Sequence, residues 1–156
     1  MIRTGIGIDT HRFEAGRRLI LGGVEIPHEQ GLAGHSDADV LTHAVIDALL
    51  GAAGKGDIGE HFPDTDPRYA GADSLELLRG VVAELGATVV HVDVTVMMER
   101  PRLGPHKAAI RASLAAALGI AAEAVNVKAT TGEGMGFIGR GEGAAALAVA
   151  TLQDAA

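Results

Sequence analysis

Residue types that bind metal ions are grouped in the first third of the chain. Asp9 and His11 lie two residues apart at the end of a predicted β-strand, so their side chains point to the same side. His43 lies on the first predicted long helix, and Asp39 and Asp47, one turn before and after it, could hold its second ring nitrogen. Two imidazoles and a carboxylate suit Zn²⁺ and leave a fourth coordination position open, as in catalytic zinc sites. The three side chains predict a zinc centre if the helix packs beside the strand.

Two further segments could bind phosphate. His35 and Ser36 stand at the start of the same predicted helix, whose free first-turn N–H groups and dipole favour an anion. Residues 128–133 end a predicted strand with two hydroxyl groups, and Glu133 could ligate a hard cation such as Mg²⁺. Taken alone, each feature is more typical of a solvated surface, a capped helix or a strand–loop junction. Together with the metal-binding triplet they indicate phosphoryl chemistry assisted by metal ions.

Two glycine patterns match the dinucleotide fingerprint G-x-G-x-x-G, at residues 54–59 and 134–139. That fingerprint requires a strand before it and a helix after it. The first pattern follows a helix and leads into a segment containing Pro63, and the second precedes a strand-like run. The sequence therefore argues against a Rossmann-type nucleotide site.

The elements that must position these residues do not alternate strictly. Ile2, Ile6 and Ile8 predict an opening strand, and the Gly-Gly pair at 22–23 predicts the turn of a hairpin. Apolar patterns and caps predict three helices, which begin at Ser36, Asp73 and Pro105 and end near 51–54, at Gly86 and at Gly119. They also predict strands at 88–98, 125–130 and 144–152, with Val90 to Met98 alternating on one face, and loops at 56–71 and 132–143. This order predicts an α+β fold in a single domain, 1–156.

Composition narrows the classes of function. The net charge of −7 disfavours general binding to nucleic acid, and the absence of cysteine excludes disulfides and thiolate metal sites. No segment is long and apolar enough for a membrane span and no signal-peptide pattern is present, so we expect a cytoplasmic protein. Three Phe and one Tyr leave a core of small aliphatic side chains, which favours an oligomer that buries additional surface.

Blocks of residues along the whole chain resemble the 2-C-methyl-D-erythritol 2,4-cyclodiphosphate synthase family of the non-mevalonate isoprenoid pathway. Any one block is weak, but their order and spacing make the resemblance specific. The blocks are GIDTH at 7–11, LGGV at 21–24, GHSDAD at 34–39, GDIG at 56–59, FPDTD at 62–66, NVKATT at 126–131 and GRGEG at 139–143.

The resemblance implies a fold, an activity and an assembly. The fold would be a mixed β-sheet with helices packed on one face, in a ferredoxin-like or chorismate-mutase-like layout. The reaction would cyclise 4-diphosphocytidyl-2-C-methyl-D-erythritol 2-phosphate and release CMP, using Zn²⁺ and a second divalent cation, Mg²⁺ or Mn²⁺. The assembly would be a homotrimer around a three-fold axis, with active sites between subunits and an isoprenoid diphosphate in the channel on the axis in some members.

The resemblance also assigns roles to residues. Asp9, His11 and His43 match the zinc ligands, and Glu133 matches a residue at the second divalent ion. His35 and Thr131 match positions that stabilise the transition state. The positions matched to substrate binding are Asp9, His11, His35, Ser36, Asp57, Ile58, Gly59, Phe62, Pro63, Asp64, Thr65, Asp66, Met98, Arg102, Leu103, Gly104, Thr130, Thr131, Gly132, Glu133, Phe137 and Arg140. Of these, the segments 98–104 and 130–133 match a nucleotide pocket that the adjacent subunit contributes.

Two other readings of the same residues stay open. A zinc-dependent phosphohydrolase would place water at the fourth zinc position, whereas a non-catalytic trimer binding an isoprenoid diphosphate would use Phe137 and Arg140 without the metal triplet. The chain also departs from the family pattern at Gly132, where a hydroxyl residue is common, and in the variable stretch Arg100-Pro101-Arg102.

Overall fold

The computed structural model describes residues 1–156 and contains seven strands and five α-helices. The strands are β1 (Ile2–Ala15), β2 (Leu19–Leu21), β3 (Val24–Ile26), β4 (Gln30–Leu32), β5 (Ala87–Met97), β6 (Val125–Thr130) and β7 (Gly143–Asp154). The helices are α1 (Val40–Ala53), α2 (Ile58–His61), α3 (Ser74–Glu84), α4 (Lys107–Leu118) and α5 (Gly136–Gly139), with short 3₁₀ turns at Pro67–Tyr69, Gly104–His106 and Ala122–Ala124.

The main sheet is mixed. Its strand order is β4-β1-β7-β5-β6, and β2 and β3 form a separate hairpin. β1 is antiparallel to β4 and β7, β5 is antiparallel to β7, and β5 is parallel to β6. Helix α1 packs on the central strands, α4 packs on β6, and α3 packs against both helices. The predicted α+β class and mixed sheet are confirmed.

The contact between β1 and α1 is unusually close and depends on two glycines. A Cβ atom on Gly5 would lie 2.1 Å from the carbonyl oxygen of Ala48, and one on Gly7 would lie 1.9 Å from that of Ala44. Because neither strand residue has a side chain, the helix backbone rests directly on the strand. This contact brings the residue before Ala44, His43, beside the middle of β1, where Asp9 and His11 lie. The strand continues to Ala15, so the predicted strand end at Asp9 and His11 is wrong.

The opposite face of the sheet is uncovered and carries an exposed apolar patch. Successive side chains of a strand point to opposite faces of the sheet. Gly5 and Gly7 of β1 face α1, so the isoleucines at the even-numbered positions between and around them point to the uncovered side. Ile2, Ile6 and Ile8 are 57%, 62% and 60% exposed, and Val90 and Val149 also lie exposed. Side chains of this size are usually buried, so the open face is a surface that a partner could cover.

Several predicted boundaries are wrong. Helix α1 is capped by Asp39, not Ser36, because the Asp39 carboxylate accepts the backbone N–H of Thr42. The predicted loop at 56–71 contains α2, capped by Asp57, and a 3₁₀ turn capped by Asp66. The predicted start of α3 at Asp73 is confirmed, since the Asp73 side chain accepts the N–H of Leu75 and caps the helix.

Three further expectations need correction. Val90 does not share the buried face, because an irregularity in the pairing of β5 with β7 between Val89 and His91 turns it outward. Pro105 lies in the 3₁₀ turn before α4 and not in the first turn of that helix. The glycine-rich segment 132–143 is a shaped loop, as predicted, but it contains the short helix α5. None of the helices combines the length and apolar composition that crossing a bilayer requires.

Candidate metal and substrate site

Asp9, His11 and His43 converge as the sequence predicts. Asp9 and His11 lie on the side of β1 that faces α1, and His43 lies in the first turn of that helix. The distances are 2.9 Å from Asp9 Oδ2 to His11 Nε2, 3.1 Å from Asp9 Oδ2 to His43 Nδ1, and 3.2 Å between the two ring nitrogens. Three donor atoms therefore form a nearly equilateral triangle.

This triangle fits a tetrahedral ion. Zinc bonds of about 2.0–2.1 Å in a tetrahedron place neighbouring donor atoms about 3.3 Å apart. The observed edges of 2.9–3.2 Å are close to that value. Two imidazole nitrogens and one carboxylate oxygen are the donor set that zinc accepts with one position left open. The residues present therefore fit the predicted ion.

The ring of His11 is oriented by the backbone beside it. Its Nδ1 donates to the carbonyl oxygen of Ala33 at 2.8 Å, which directs the lone pair of Nε2 toward Asp9 and His43. Gly34 makes room for the ring, because a Cβ there would lie 2.9 Å from His11 Cε1.

His43 is held by Ser74, which is itself oriented by Asp37, and the sequence analysis missed both residues. Its Nε2 lies 2.8 Å from the hydroxyl of Ser74, whose own proton is donated to the carboxylate of Asp37. Because that hydroxyl has only one hydrogen, it accepts the N–H of His43 and leaves Nδ1 free for an ion. Ser36 Oγ also approaches Nε2 at 3.2 Å. Ser74 is the first residue of a capped helix, and no sequence signal separates it from an ordinary helix start.

The predicted role of Asp39 and Asp47 in holding His43 is wrong. Asp39 is fully buried and accepts hydrogen bonds from Thr42 and from the N–H groups of Gly22 and Gly23. Asp47 accepts the N–H of Ile58 and so positions α2. Both carboxylates are therefore structural anchors for neighbouring loops.

The same contacts correct the expectation that the start of α1 binds phosphate. The carboxylate of Asp39 already occupies the first turn of the helix, where an external anion would otherwise bind. His35 and Ser36 lie in the loop before the helix, and His35 Nε2 donates to the carbonyl oxygen of Asp66 at 2.8 Å. Any anion recognition here must use these side chains.

The electrostatics of the triplet favour a cation. Burial raises the pKa of Asp9, but hydrogen bonds and charge from His11 and His43 outweigh burial and lower that pKa to about 2. Burial lowers the pKa of His11, but the hydrogen bond and charge of Asp9 outweigh it and raise that pKa above its usual value. The Asp9 carboxylate is thus ionised throughout the neutral range.

A cleft of about 430 Å³ opens beside the triplet. It brings together ten of the predicted site residues from four chain segments, and Tyr69 and Leu77, which the sequence analysis missed, also line it. The predicted residues are Asp9, His11, His35, Ser36, His43, Ile58, Gly59, Phe62, Pro63 and Asp64. Asp57 and Asp66, also predicted, cap short helices next to the cleft, and Thr65 is exposed between them.

A second, separate cleft of about 880 Å³ contains the predicted nucleotide segment. Arg100, Arg102 and Lys107 line it, and none of the three makes an ion pair or a side-chain hydrogen bond within the chain. The predicted residues that line it are Met98, Arg102, Leu103, Gly104, Thr130 and Thr131. An anion would find unpaired positive charge here although the protein is acidic overall.

The remaining predicted residues lie outside both clefts. Gly132 and Glu133 form the turn after β6, and Glu133 is exposed. A Cβ on Gly132 would lie 2.7 Å from the backbone nitrogen of Gly139, so glycine allows α5 to pack against this turn. Phe137 and His11 line a third depression, and Arg140 lines a fourth and pairs with Glu142. Within one chain, the structure does not bring Thr131 or Glu133 to the metal triplet.

The family can be identified from sequence comparison. The sequence model of the YgbB family matches residues 2–153. The chain belongs to the YgbB family. Among curated relatives, proteins named 2-C-methyl-D-erythritol 2,4-cyclodiphosphate synthase from Desulfosudis oleivorans and Salinibacter ruber are 59% and 57% identical over 97% and 99% of this chain and 92% and 100% of their own lengths. The family resemblance found in the sequence is confirmed.

Solved structures agree with this membership. The bifunctional IspDF from Campylobacter jejuni matches with a TM-score of 0.95 and 46% identity, over 99% of this chain and 43% of that one. A synthase in its CDP-bound form matches with a TM-score of 0.88 and 40% identity, over 97% of this chain and 100% of that one. A bifunctional enzyme from Anaeromyxobacter dehalogenans is 60% identical, and this chain spans 41% of its length.

Proposed function

We propose that this YgbB-family chain converts 4-diphosphocytidyl-2-C-methyl-D-erythritol 2-phosphate into 2-C-methyl-D-erythritol 2,4-cyclodiphosphate, with release of CMP, in the non-mevalonate isoprenoid pathway. The observation that carries the proposal is the triangle of donor atoms from Asp9, His11 and His43, beside a cleft lined by the predicted substrate-binding residues. The names of the curated relatives and the CDP-bound state of one structural neighbour support the substrate class.

The reaction needs no protein base, because the nucleophile is already an anion at neutral pH. An oxygen of the 2-phosphate forms a bond to the β-phosphorus of the diphosphate, the bond from that phosphorus to the bridging oxygen breaks, and CMP leaves with that oxygen and its electron pair. Positioning supplies much of the acceleration, since the attack is intramolecular. The chain must chiefly bend the substrate and counter the repulsion between phosphates.

Asp9, His11 and His43 would hold Zn²⁺, and Glu133 would contribute to a site for Mg²⁺ or Mn²⁺. Two such cations supply charge neutralisation and Lewis acidity at the phosphoryl groups. His35 and Ser36, which line the metal cleft, would bind the phosphate oxygens, and the Asp66 carbonyl group holds the His35 ring in place through Nε2. Thr131 would stabilise the transition state from the nucleotide side.

The two clefts would meet across a subunit boundary. The metal cleft and the nucleotide cleft are separate in one chain, so a substrate that fills both must bridge neighbouring subunits. The exposed apolar face formed by Ile2, Ile6, Ile8, Val90 and Val149 supports a homotrimer, because assembly would bury it. Phe137, 44% exposed, and Arg140 would then line the channel on the three-fold axis and could hold an isoprenoid diphosphate.

One incubation tests the reaction. We expect the protein with Zn²⁺ and Mg²⁺ to convert the cytidine substrate to equal amounts of CMP and a cyclic diphosphate, detected by ³¹P NMR. Carrying the reaction out in ¹⁸O-labelled water separates the phosphohydrolase alternative, because hydrolysis incorporates the label and ring closure does not. Labelled, open-chain product would overturn the proposal.

Two variants test the roles of the metals. His43→Ala should keep its fold but lose bound zinc and nearly all turnover, because one of the three donor atoms is removed. Glu133→Gln should require more Mg²⁺ or Mn²⁺ for half-maximal rate while retaining zinc. Full activity of a zinc-free His43→Ala protein, or an unchanged titration of Glu133→Gln, would contradict the assigned roles.

A further inference from the structure

Glu99 connects two loops that are distant in sequence. It follows β5, and its two carboxylate oxygens accept the backbone N–H groups of Gly132 at 2.9 Å and of Gly134 at 3.4 Å. These glycines stand immediately before and after Glu133 in the turn after β6. Both oxygens are therefore committed to the backbone on either side of one residue.

The turn that Glu99 holds contains a strained residue. Glu133 has a φ of +54°, a left-handed conformation that side chains other than glycine adopt at a cost. Inside the turn, the N–H of Glu133 donates to Thr131 Oγ1 at 3.2 Å. Among side chains distant in sequence, Glu99 is the one that hydrogen-bonds to residues 132–135. A strained conformation persists when its surroundings hold it, and here the hold comes from Glu99.

We infer that Glu99 is a positioning residue for the second divalent ion, acting through the backbone of the turn that presents Glu133 and Thr131. The inference rests on the proposed function, which gives Glu133 its metal-binding role. A carboxylate that supports a metal-binding side chain without touching the ion typically contributes about 10- to 100-fold to metal affinity. Glu99 is partly buried, and moving its carboxylate away would leave the N–H groups of Gly132 and Gly134 without an acceptor, which costs free energy. Its contribution is therefore to hold the turn in place.

The test replaces one acceptor oxygen. Glu99→Gln places an amide NH₂ group against one of the two N–H groups, so the bidentate contact is lost at nearly unchanged volume. The matched control is Glu123→Gln, the same change at an exposed glutamate that makes no side-chain hydrogen bond or ion pair in the chain. The readouts are Mn²⁺ binding in the presence of CDP, zinc content, and amide hydrogen exchange at Gly132 and Gly134.

We expect Glu99→Gln to weaken Mn²⁺ binding about tenfold or more, to accelerate exchange at both glycine amides, and to leave zinc content unchanged. The control should match the parent protein in all three. Glu99→Asp keeps two acceptor oxygens on a shorter side chain, so its Mn²⁺ affinity should fall between those of the parent and Glu99→Gln, which keeps the test available if the glutamine variant does not fold.

Three outcomes would overturn the inference. Faster exchange with unchanged Mn²⁺ affinity would reduce Glu99 to a structural role, and unchanged exchange with weaker Mn²⁺ binding would make it a direct ligand. An unchanged variant would remove the role altogether. These results are distinct from failure of the proposed function, which would appear as absence of CMP release by the parent protein whatever the behaviour of Glu99→Gln.

Discussion

A single methyl group placed between β1 and α1 should dismantle the metal centre. In Gly7→Ala the new Cβ would lie 1.9 Å from the carbonyl oxygen of Ala44 and 2.6 Å from the backbone nitrogen of Ala48. Both atoms belong to the backbone of α1, so no side-chain rotation can relieve the clash. The helix, which carries His43, must move away from the strand, which carries Asp9.

The size of the movement follows from the contact distances. Ordinary van der Waals contact of a Cβ atom begins at 3.4 Å, so the helix and strand must separate by about 1.5 Å at this point. Metal sites tolerate errors of about 0.2 Å in ligand distance. The displacement is several times larger, and we expect zinc affinity to fall at least about a hundredfold. Overpacking should also lower the free energy of unfolding by about 3 kcal/mol.

The assay combines zinc content by mass spectrometry with thermal unfolding of the parent, Gly7→Ala and Gly51→Ala proteins. Gly51 is the matched control because it lies on α1 in the same interface, yet its added Cβ would meet no atom closer than 3.7 Å. Gly51→Ala should retain zinc and gain about 0.5–1 kcal/mol of stability, since glycine is unfavourable inside a helix. A Gly7→Ala protein with full zinc and parental stability would refute the argument.

Three other perturbations have defined outcomes. Ser74→Ala should lower zinc affinity about 10- to 100-fold with little loss of secondary structure, because His43 loses the acceptor that fixes its tautomer; equilibrium titration with a zinc chelator measures this, and unchanged affinity would contradict it. Without metal, protonated His11 adds stability below its unfolded pKa of about 6.5, and this contribution is lost as the pH rises through its higher folded pKa. Zinc needs neutral His11, so the rise in melting temperature caused by zinc should be larger at about pH 8 than at about pH 6, and a pH-independent rise would be the contrary result. Asp39→Ala should cost about 3 kcal/mol by denaturant unfolding, because Thr42 and the Gly-Gly turn lose their acceptor in a buried place; a cost below about 1 kcal/mol would show that water replaces it.

Local sequence patterns predicted most of the elements because they depend on neighbouring residues. The capping residue Asp73 and the C-terminal Gly119 each act within one turn of a helix, and the alternation in 88–98 reflects the pleat of one strand. The errors lie where a distant contact decides. The irregular pairing of β5 with β7 turned Val90 outward, and the choice of Asp39 over Ser36 as a cap depends on the Gly22-Gly23 turn that packs against it.

The metal ligands were recognisable because residue type and period-two spacing constrain Asp9 and His11 directly. Their supports were not, because Ser74 and Asp37 meet across 37 positions of the chain, and hydroxyl and carboxyl groups near helix starts look alike whether they cap a helix or orient a ligand. The substrate-binding residues were assigned through the family resemblance. In the structure, those that line a cleft fall into two separate clefts.

The sequence by itself determined the donor set for a metal ion, the α+β class and the membership of the family, because these depend on residue types and their order. Only the tertiary structure decided that the glycines of β1 face α1 and its isoleucines face away from it. The alternation of residues along a strand defines two faces, but it does not indicate which of them a helix covers. That choice lets α1 approach closely enough for His43 to meet Asp9 and His11. It also leaves the isoleucines on the other side of the sheet exposed and available for assembly, because α1 covers only one side.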